Sequence, residues 1–338
     1  MAFQITVDSS GHRFEAQHDQ TILEAADAAG ITLPYGCRNG ACGSCKGKVL
    51  SGEVDHGDYQ AQALSPAEIA QGVTLFCCAT PQTDLVIDVR EIDAVRDIPV
   101  RLLPCRVQAL EKVAPDVMVL SLKLPTNERL QFLAGQYIEF LLKDGKRRAF
   151  SIANAPHDDG FLQLHIRLVP GGQFTTQVFD SMKVKDILRI EGPMGTFFLR
   201  EDSEKPVILL AGGTGFAPIK ALAEHAIHNR MFHRPMRLYW GARDRAGLYL
   251  PELPLQWEQS HAHIQYVPVL SDSTPADQWT GRTGFVHRAV IEDIPDLSGY
   301  QVYACGAPAM IDAAKKDFMA QGLPESEFFA DSFTFAAG

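Results

Sequence analysis

The chain has 338 residues, more than one hydrophobic core usually serves, so two or three domains are expected. Its composition is ordinary and globular, 46% hydrophobic and 21% charged, and a net charge of −10 argues against nucleic-acid binding. No apolar run approaches a membrane span. The N-terminus "MAFQITVDSSG" lacks the basic and apolar blocks of a secretory signal, so a cytoplasmic location is expected. The acidity is concentrated at the front: residues 1–93 hold 13 Asp/Glu against 5 Lys/Arg, and the rest of the chain 28 against 26. Such a unit either keeps the protein soluble or docks on a basic partner, and charge alone does not separate the two.

In chain order, "FQITV" (3–7) alternates apolar and polar residues, Gly11 marks a turn, and "RFEAQ" follows, which predicts a β-hairpin. "TILEAADAAG" (21–30) predicts a short helix. Thr21 and Glu24 stand at capping-box spacing and Gly30 is placed to end it in a left-handed conformation. "LVIDV" (85–89) is a further strand. The polar, proline-bearing stretch 90–104 reads as a linker. After it, "VMVLSLKL", "QYIEFLL", "LQLHIRLV" and "DILRIEG" are short strands punctuated by Gly and Pro, the pattern of a small antiparallel barrel. Beyond Lys205 the character changes. The buried-type strands "PVILLAGG", "RLYWGA", "IQYVPVL" and "YQVYACG" alternate with helical segments such as "APIKALAEHAIHN", which predicts a parallel α/β sheet. The expected division is 1–93, a linker at 94–101, 102–201 and 202–338.

Seven cysteines, an odd number and unevenly clustered, favour metal or redox chemistry over disulfides. Three of them, Cys37, Cys42 and Cys45, lie in "YGCRNGACGSCKG" (35–47), and "LFCCAT" (75–80) offers Cys77 and Cys78 as a fourth. Gly36, Gly40, Gly43 and Gly47 would allow tight backbone turns and let amide N–H groups approach a bound cluster. Zinc knuckles usually come as paired Cys-x2-4-Cys units, so one triplet with a distant fourth cysteine fits a cluster better than zinc. The run "CRNGACGSC…LFCCATP" resembles plant-type ferredoxins, whose 2Fe–2S cluster takes this Cys-x4-Cys-x2-Cys…Cys spacing. The resemblance implies a compact α+β (β-grasp) domain. Aligned on Leu75, Ala79 and Pro81, it makes Cys77 the fourth metal ligand beside Cys37, Cys42 and Cys45, with Cys78 a buried thiol.

"RRAFSIAN" (147–154) resembles the Arg-x-Tyr/Phe-Ser signature of the ferredoxin–NADP+ reductase superfamily. The resemblance implies that Arg148 pairs with a flavin phosphate, that the Phe150 ring lies against the isoalloxazine and that Ser151 is near its N5. "HIRLVPGGQFTTQVF" (165–179) adds His165, Ile166, Gly172, Gln173, Phe174 and Thr175, the last four opening a helix whose N-terminus suits phosphate. "EGPMGTF" adds Gly192, Pro193 and Gly195, which a plain hairpin would explain equally well. "LLAGGTGFAPIKAL" places Gly212, Gly213, Thr214 and Gly215 at the carboxyl end of a strand, where open α/β sheets bind ligands, and resembles the pyridine-nucleotide loop of the same superfamily. "YACGAP" resembles its Cys-Gly motif, which puts Cys305 and Gly306 beside the nicotinamide. In the tail "FFADSFTFAAG", Asp331 and Phe333 are candidates to cover the flavin, and a strand packing Phe into the core is the alternative. Ser151, Cys305 and Phe333 are the catalytic candidates. Gly247 stands where relatives often carry Asp, and no clear clamp for a 2′-phosphate is visible, although Arg243 and Arg245 are near. NADH is therefore expected, with NADPH the alternative.

The order ferredoxin, flavin barrel, nicotinamide domain resembles the reductase components of bacterial ring-hydroxylating dioxygenases and related oxygenases. "FLAGQYIEF", "GTFFLRED" and "YQVYACGAP" most resemble reductases serving CDP-6-deoxyhexulose-3-dehydrase. This implies a monomeric oxidoreductase holding a 2Fe–2S cluster, FAD and NAD(P)H. It would pass electrons singly from a two-electron donor to a partner oxygenase or dehydrase docked at the acidic ferredoxin domain. A free-standing NAD(P)H:flavin or quinone reductase and a cluster-based redox sensor are the competing classes.

Overall fold

The computed structural model describes residues 2–229 and 233–333. The chain divides into two compact units, residues 1–99 and 100–338.

The first unit runs β1 (Ala2–Val7), β2 (Arg13–Gln17), α1 (Ile22–Ala28), β3 (Lys46–Ser51), β4 (Val54–Asp55), α2 (Pro66–Ala70), β5 (Val73–Leu75), β6 (Thr80–Pro81) and β7 (Leu85–Asp88). Its main sheet has the order β2-β1-β7-β3-β5, with β1 parallel to β7 and the expected antiparallel hairpin between β1 and β2. The alternation in β1 and β2 puts Ile5, Val7, Phe14 and Ala16 inside, against Ile22, Leu23 and Ala26 of α1. The capping box forms as read: Thr21 Oγ1 accepts from the Glu24 amide, and the Glu24 carboxylate accepts from the Thr21 amide at 3.0 Å. Gly30 takes a positive φ of 73° just beyond the helix.

The second unit begins with β8 (Arg101–Ala114), β9 (Val117–Lys123), β10 (Tyr137–Leu141), β11 (Arg147–Ser151), β12 (Leu162–Arg167), α3 (Gln173–Asp180) and β13 (Ile187–Met194). The six strands make one antiparallel sheet, β11-β10-β13-β8-β9-β12. Its two edges meet where Ile152 bridges Leu164, which closes the sheet into the expected barrel. One expectation is corrected here. The stretch 101–104, read as linker, is the start of β8, and Pro104 pairs with Arg189 inside the sheet.

The chain continues with β14 (Val207–Gly212), α4 (Phe216–His228), β15 (Met236–Ala242), α5 (Glu252–Ser260), β16 (Ile264–Leu270), β17 (Arg282–Thr283), α6 (Val286–Asp293), β18 (Gln301–Gly306), α7 (Pro308–Ala320) and β19 (Phe328–Ser332). All six strands are parallel, in the order β17-β16-β15-β14-β18-β19. Helices cover both faces. Phe216, Ile219 and Leu222 of α4 join one core with Trp240 and Tyr303, while Val290 of α6 and Phe318 of α7 join the other with Ile208 and Tyr239. Among the described residues, no helix is long and apolar enough to cross a membrane.

Candidate functional sites

In the first unit, the loop between α1 and β3 folds the cysteines together. Gly40 and Gly43 take positive φ, the turns that residues with a Cβ resist. Gly36 and Gly47 do not, so the reading of all four as turn glycines is corrected. A Cβ at Gly47 would sit 2.2 Å from the Phe76 ring, and one at Gly36 would sit 3.1 Å from Cys42 Sγ, so these two permit close packing instead. Arg38 is tied to Asp27 of α1 at 2.5 Å and lies over the Tyr35 ring. Backbone N–H groups of Ala41 and Cys42 point at Cys37 Sγ (3.4 and 3.3 Å), and those of Cys37 and Ser44 at Cys42 Sγ (3.3 and 3.5 Å). Cys45 Sγ lies 3.2 Å from Cys77 Sγ, which lies 3.6 Å from Cys78 Sγ.

The thiols thus form close pairs, and among the described residues no His, Cys, Asp or Glu group is arranged around a single-ion position. In each pair one sulfur is held as the acceptor. The Cys42 thiol brings Cys37 down to about 6, and the Cys45 thiol brings Cys77 down to about 3. The partners Cys42 and Cys45 are pushed up, chiefly by the same contacts. Four thiols ringed by N–H donors are a donor set suited to an iron–sulfur cluster. Cys78, expected to be buried, is only partly so.

In the second unit, Arg148 and Phe150 share one face of β11. The Phe150 ring packs with Phe140 (centroids 5.8 Å apart) and with Phe174 (5.5 Å), which joins β11 to the first turn of α3. No side chain caps that helix at Gly172. The Thr175 hydroxyl is used inside the turn, accepting from the Val169 N–H and donating to the Gly172 carbonyl, so the first-turn amides remain for an anion. Ser151 and Met194 both pair with Tyr137, and a Cβ at Gly195 would touch the Tyr137 ring at 2.9 Å. The Gly192–Met194 end of β13, with Gly195 just beyond it, and the end of β11 therefore flank one buried tyrosine, Tyr137, which the motifs did not single out. Ile166 is fully buried in the barrel core, in the same cluster as Phe140 and Phe174.

The glycine loop after β14 and the Cys305–Gly306 end of β18 are side by side, since Ala211 pairs with Cys305. A Cβ on Gly215 would fall 2.1 Å from the Cys305 carbonyl oxygen, so only glycine lets the loop rest on that strand. On the other side of β18, Asp331 of β19 is in register with Cys305. Its carboxylate accepts the Ser151 hydroxyl at 3.1 Å and lies 3.9 Å from Cys305 Sγ. Burial and this carboxylate push the Cys305 thiol well up, so it stays protonated. The backbone N–H of Phe333 donates to the Gly306 carbonyl at 2.9 Å, and the Phe333 ring packs against the nicotinamide-domain core. Ser151 and Cys305 thus meet at one carboxylate, and Phe333 reaches the same strand end through its backbone. Tail residues beyond Phe333 lie outside the described ones.

Other contacts fix the barrel against the parallel sheet. Lys220 of α4 donates to the Ala153 carbonyl at 3.0 Å, just beyond Ser151. His165 meets the Tyr249 hydroxyl at 2.8 Å through Nδ1 and Gln163 Oε1 at 3.3 Å through Nε2. Burial, with the Lys220 charge adding to it, holds this imidazole down to about 3. The unfolded chain protonates it near 6.5, so the folded state loses stability as pH falls from about 6.5 toward 3, by up to about 5 kcal/mol. His165→Gln, which cannot titrate, is expected to flatten that acid limb. Urea unfolding between pH 7 and pH 4.5, followed on the tryptophans at 240, 257 and 279, all in this unit, checks it. An acid limb as steep as the parent's would show that His165 does not set it.

Arg167, not singled out within "HIRLVPGGQFTTQVF", ends β12 beside the glycine loop. Its Nη1 pairs with Asp116 at 3.0 Å, while its Nη2 is buried and finds no hydrogen-bond partner among the described residues. That nitrogen would lie 3.3 Å from a Cβ on Gly213. A guanidinium nitrogen left open at a glycine loop fits a phosphate-bearing ligand.

Comparison with known proteins finds three domains. Residues 5–82 match the 2Fe-2S iron-sulfur cluster binding domain, residues 104–199 the oxidoreductase FAD-binding domain and residues 209–316 the oxidoreductase NAD-binding domain. The chain is 44% identical over 335 residues to the CDP-6-deoxy-L-threo-D-glycero-4-hexulose-3-dehydrase reductase of Yersinia pseudotuberculosis, covering 98% of this chain and 99% of that protein. It is 35% identical to terephthalate 1,2-dioxygenase reductase component 2 of a Comamonas species, covering 98% of each. Among solved structures it resembles an Amycolatopsis cytochrome P450 reductase, 37% identical with a TM-score of 0.79, covering 99% of this chain and all of that one. The chain belongs to the family of iron–sulfur flavoprotein reductases, oxidoreductases that join a 2Fe–2S ferredoxin domain, an FAD domain and an NAD domain in one electron-transfer chain.

Proposed function

We propose that this reductase takes electrons from NADH and delivers them through FAD and the 2Fe–2S cluster to a dehydrase or oxygenase component docked on its acidic first domain. The observation that carries the reading is the Asp331 carboxylate, shared by Ser151 from the barrel and Cys305 from the parallel sheet. It brings the flavin motif and the nicotinamide motif to one point. Bound flavin supplies the exchange between two-electron and one-electron chemistry. The chain's own residues position it. Arg148 and the open N-terminus of α3 receive its phosphates, Gly192, Pro193 and Gly195 line its turn, and Phe150, Ser151 and Phe333 border the ring. Gly212, Gly213, Thr214 and Gly215 hold the dinucleotide, with Cys305 and Gly306 at its reactive end. Cys37, Cys42, Cys45 and Cys77 ligate the cluster. The working division is 1–93, 102–201 and 202–338, in a monomer. Seven free thiols favour a reducing, cytoplasmic setting.

The net charge of −8 on residues 1–93 supports docking on a basic face. NADH is favoured over NADPH because Arg245 is drawn onto Asp277, through its own N–H at 3.0 Å and its guanidinium at 3.3 Å, which turns it from a 2′-phosphate role. The direct test supplies NADH anaerobically with a purified dehydrase component of the kind the Yersinia relative is named for, or with a ring-hydroxylating oxygenase. Reduction of one of them at a rate that falls with added salt supports the reading. Turnover with free flavin or quinone alone supports the free-standing reductase.

Arg167→Ala should raise KM for NADH about tenfold while kcat changes little, since a single charge-assisted hydrogen bond contributes about 1.5–3 kcal/mol. Steady-state kinetics with ferricyanide as acceptor reads this split. An unchanged KM would remove Arg167 from the nucleotide site.

A further inference from the structure

Cys78 is the thiol that no role above absorbs. Its Sγ lies 3.6 Å from Cys77 Sγ, within reach of a sulfur hydrogen bond. Two glycines in the left-handed region leave it this position. A Cβ at Gly40 (φ 71°) would lie 2.8 Å from Cys78 Sγ, and a Cβ at Gly57 (φ 63°) would lie 2.5 Å from the Cys78 carbonyl oxygen. The Cys78 peptide is fixed as well, its N–H donating to the Leu75 carbonyl at 3.0 Å. Cys78 is thus held against a ligand sulfur in part by Gly40, from the loop that carries the other three ligands.

We propose that Cys78 is a positioning residue for the cluster, donating its S–H to the Cys77 sulfur and so raising the potential at which the cluster accepts an electron. The inference rests on the reading that Cys77 is the fourth ligand. A ligating cysteine is a thiolate and has no proton to give, so the bond has one direction, from Cys78 to Cys77. The reduced cluster carries one more negative charge than the oxidised one. A donor aimed at a ligand sulfur stabilises the reduced form more, and hydrogen bonds to the sulfurs are among the groups that set such potentials. Cys37 and Cys42 receive backbone N–H groups, and the Ser44 hydroxyl also lies 3.4 Å from Cys42 Sγ. At Cys77 the side-chain donor is Cys78, so here the potential is open to change by one residue.

The test is potentiometric titration of the full-length holoprotein, followed by visible absorption and by the electron paramagnetic resonance of the reduced cluster. Cys78→Ala removes the donor and only reduces bulk, and Cys78→Ser restores an O–H donor in nearly the same place. The expected result is a full complement of cluster in both variants. In the alanine variant the ratio of reduced to oxidised cluster at a fixed poise falls by roughly three- to tenfold, a tenfold fall being about 59 mV for one electron. The serine variant recovers most of it. An alanine variant with its cluster intact and its potential unmoved would overturn the inference and leave the ligand assignment standing. A lowered potential that serine does not recover would point to packing or solvent access and would also overturn it. Loss of the cluster in Cys78→Ala would instead overturn the assignment of Cys77 on which the inference rests.

Discussion

Cys77→Ser is expected to abolish electron delivery to a protein acceptor while leaving NADH-dependent ferricyanide reduction at the parent rate. The two activities separate because they leave the chain at different places. Ferricyanide can be reduced at the flavin, whose site is built wholly from the second unit, residues 100–338. A protein acceptor is served through the cluster, for which Cys77 is the only proposed ligand outside the 37–45 loop. Losing a residue that merely supports a ligand costs about 10–100-fold, so losing a ligand should lower delivery by at least about 100-fold. The cluster's visible absorption should go with it. Undiminished delivery in this variant would remove the cluster from the path.

Asp331→Ala carries the second large effect. Its carboxylate is the common partner of the Ser151 hydroxyl and the Cys305 thiol, and Ser151 and Cys305 come from different sheets. Without it, a hydroxyl and a thiol that are both buried lose their orientation. Positioned polar groups of this kind contribute about 100-fold or more to a rate. Anaerobic stopped-flow mixing with NADH should therefore show flavin reduction slowed by roughly 100-fold, with FAD still bound and saturation by NADH changed little. A slow rate with weakened NADH binding would make Asp331 a binding residue, and an unchanged rate would remove it from the site. Asp331→Asn, which keeps the size and one acceptor, should fall between parent and alanine.

Most of the fold was legible because local rules and tertiary structure agree. The Thr21–Glu24 box, the alternation in β1 and β2 and the apolar run of β14 each carry their meaning within a few residues. What escaped the reading was of two kinds. Pro104 suggested a linker because proline is rare inside sheets, yet it lies in β8, paired with Arg189 of β13 and ahead of the pairing with β9, which begins at Arg106. The remaining residues act across long sequence distances. Tyr137 separates the end of β11 from the Gly195 turn, Lys220 holds Ala153, and Arg167 points a spare nitrogen at the Gly213 loop. None of these has a motif of its own, and each becomes visible only when strands from distant parts of the chain are placed side by side. The candidate site lay between these cases. Ser151, Cys305 and Asp331 were each marked from resemblance, but that they meet through one carboxylate was readable only from the fold.

The central claim is that electrons from NADH reach the cluster only through the flavin. It is tested most directly by stripping FAD from the full-length protein, keeping the cluster, and adding NADH under anaerobic conditions. The account predicts a cluster that stays oxidised with NADH, is reduced by dithionite, and regains NADH-dependent reduction when FAD is returned. Reduction of the cluster by NADH in the FAD-free protein, at the rate of the holoprotein, would contradict it.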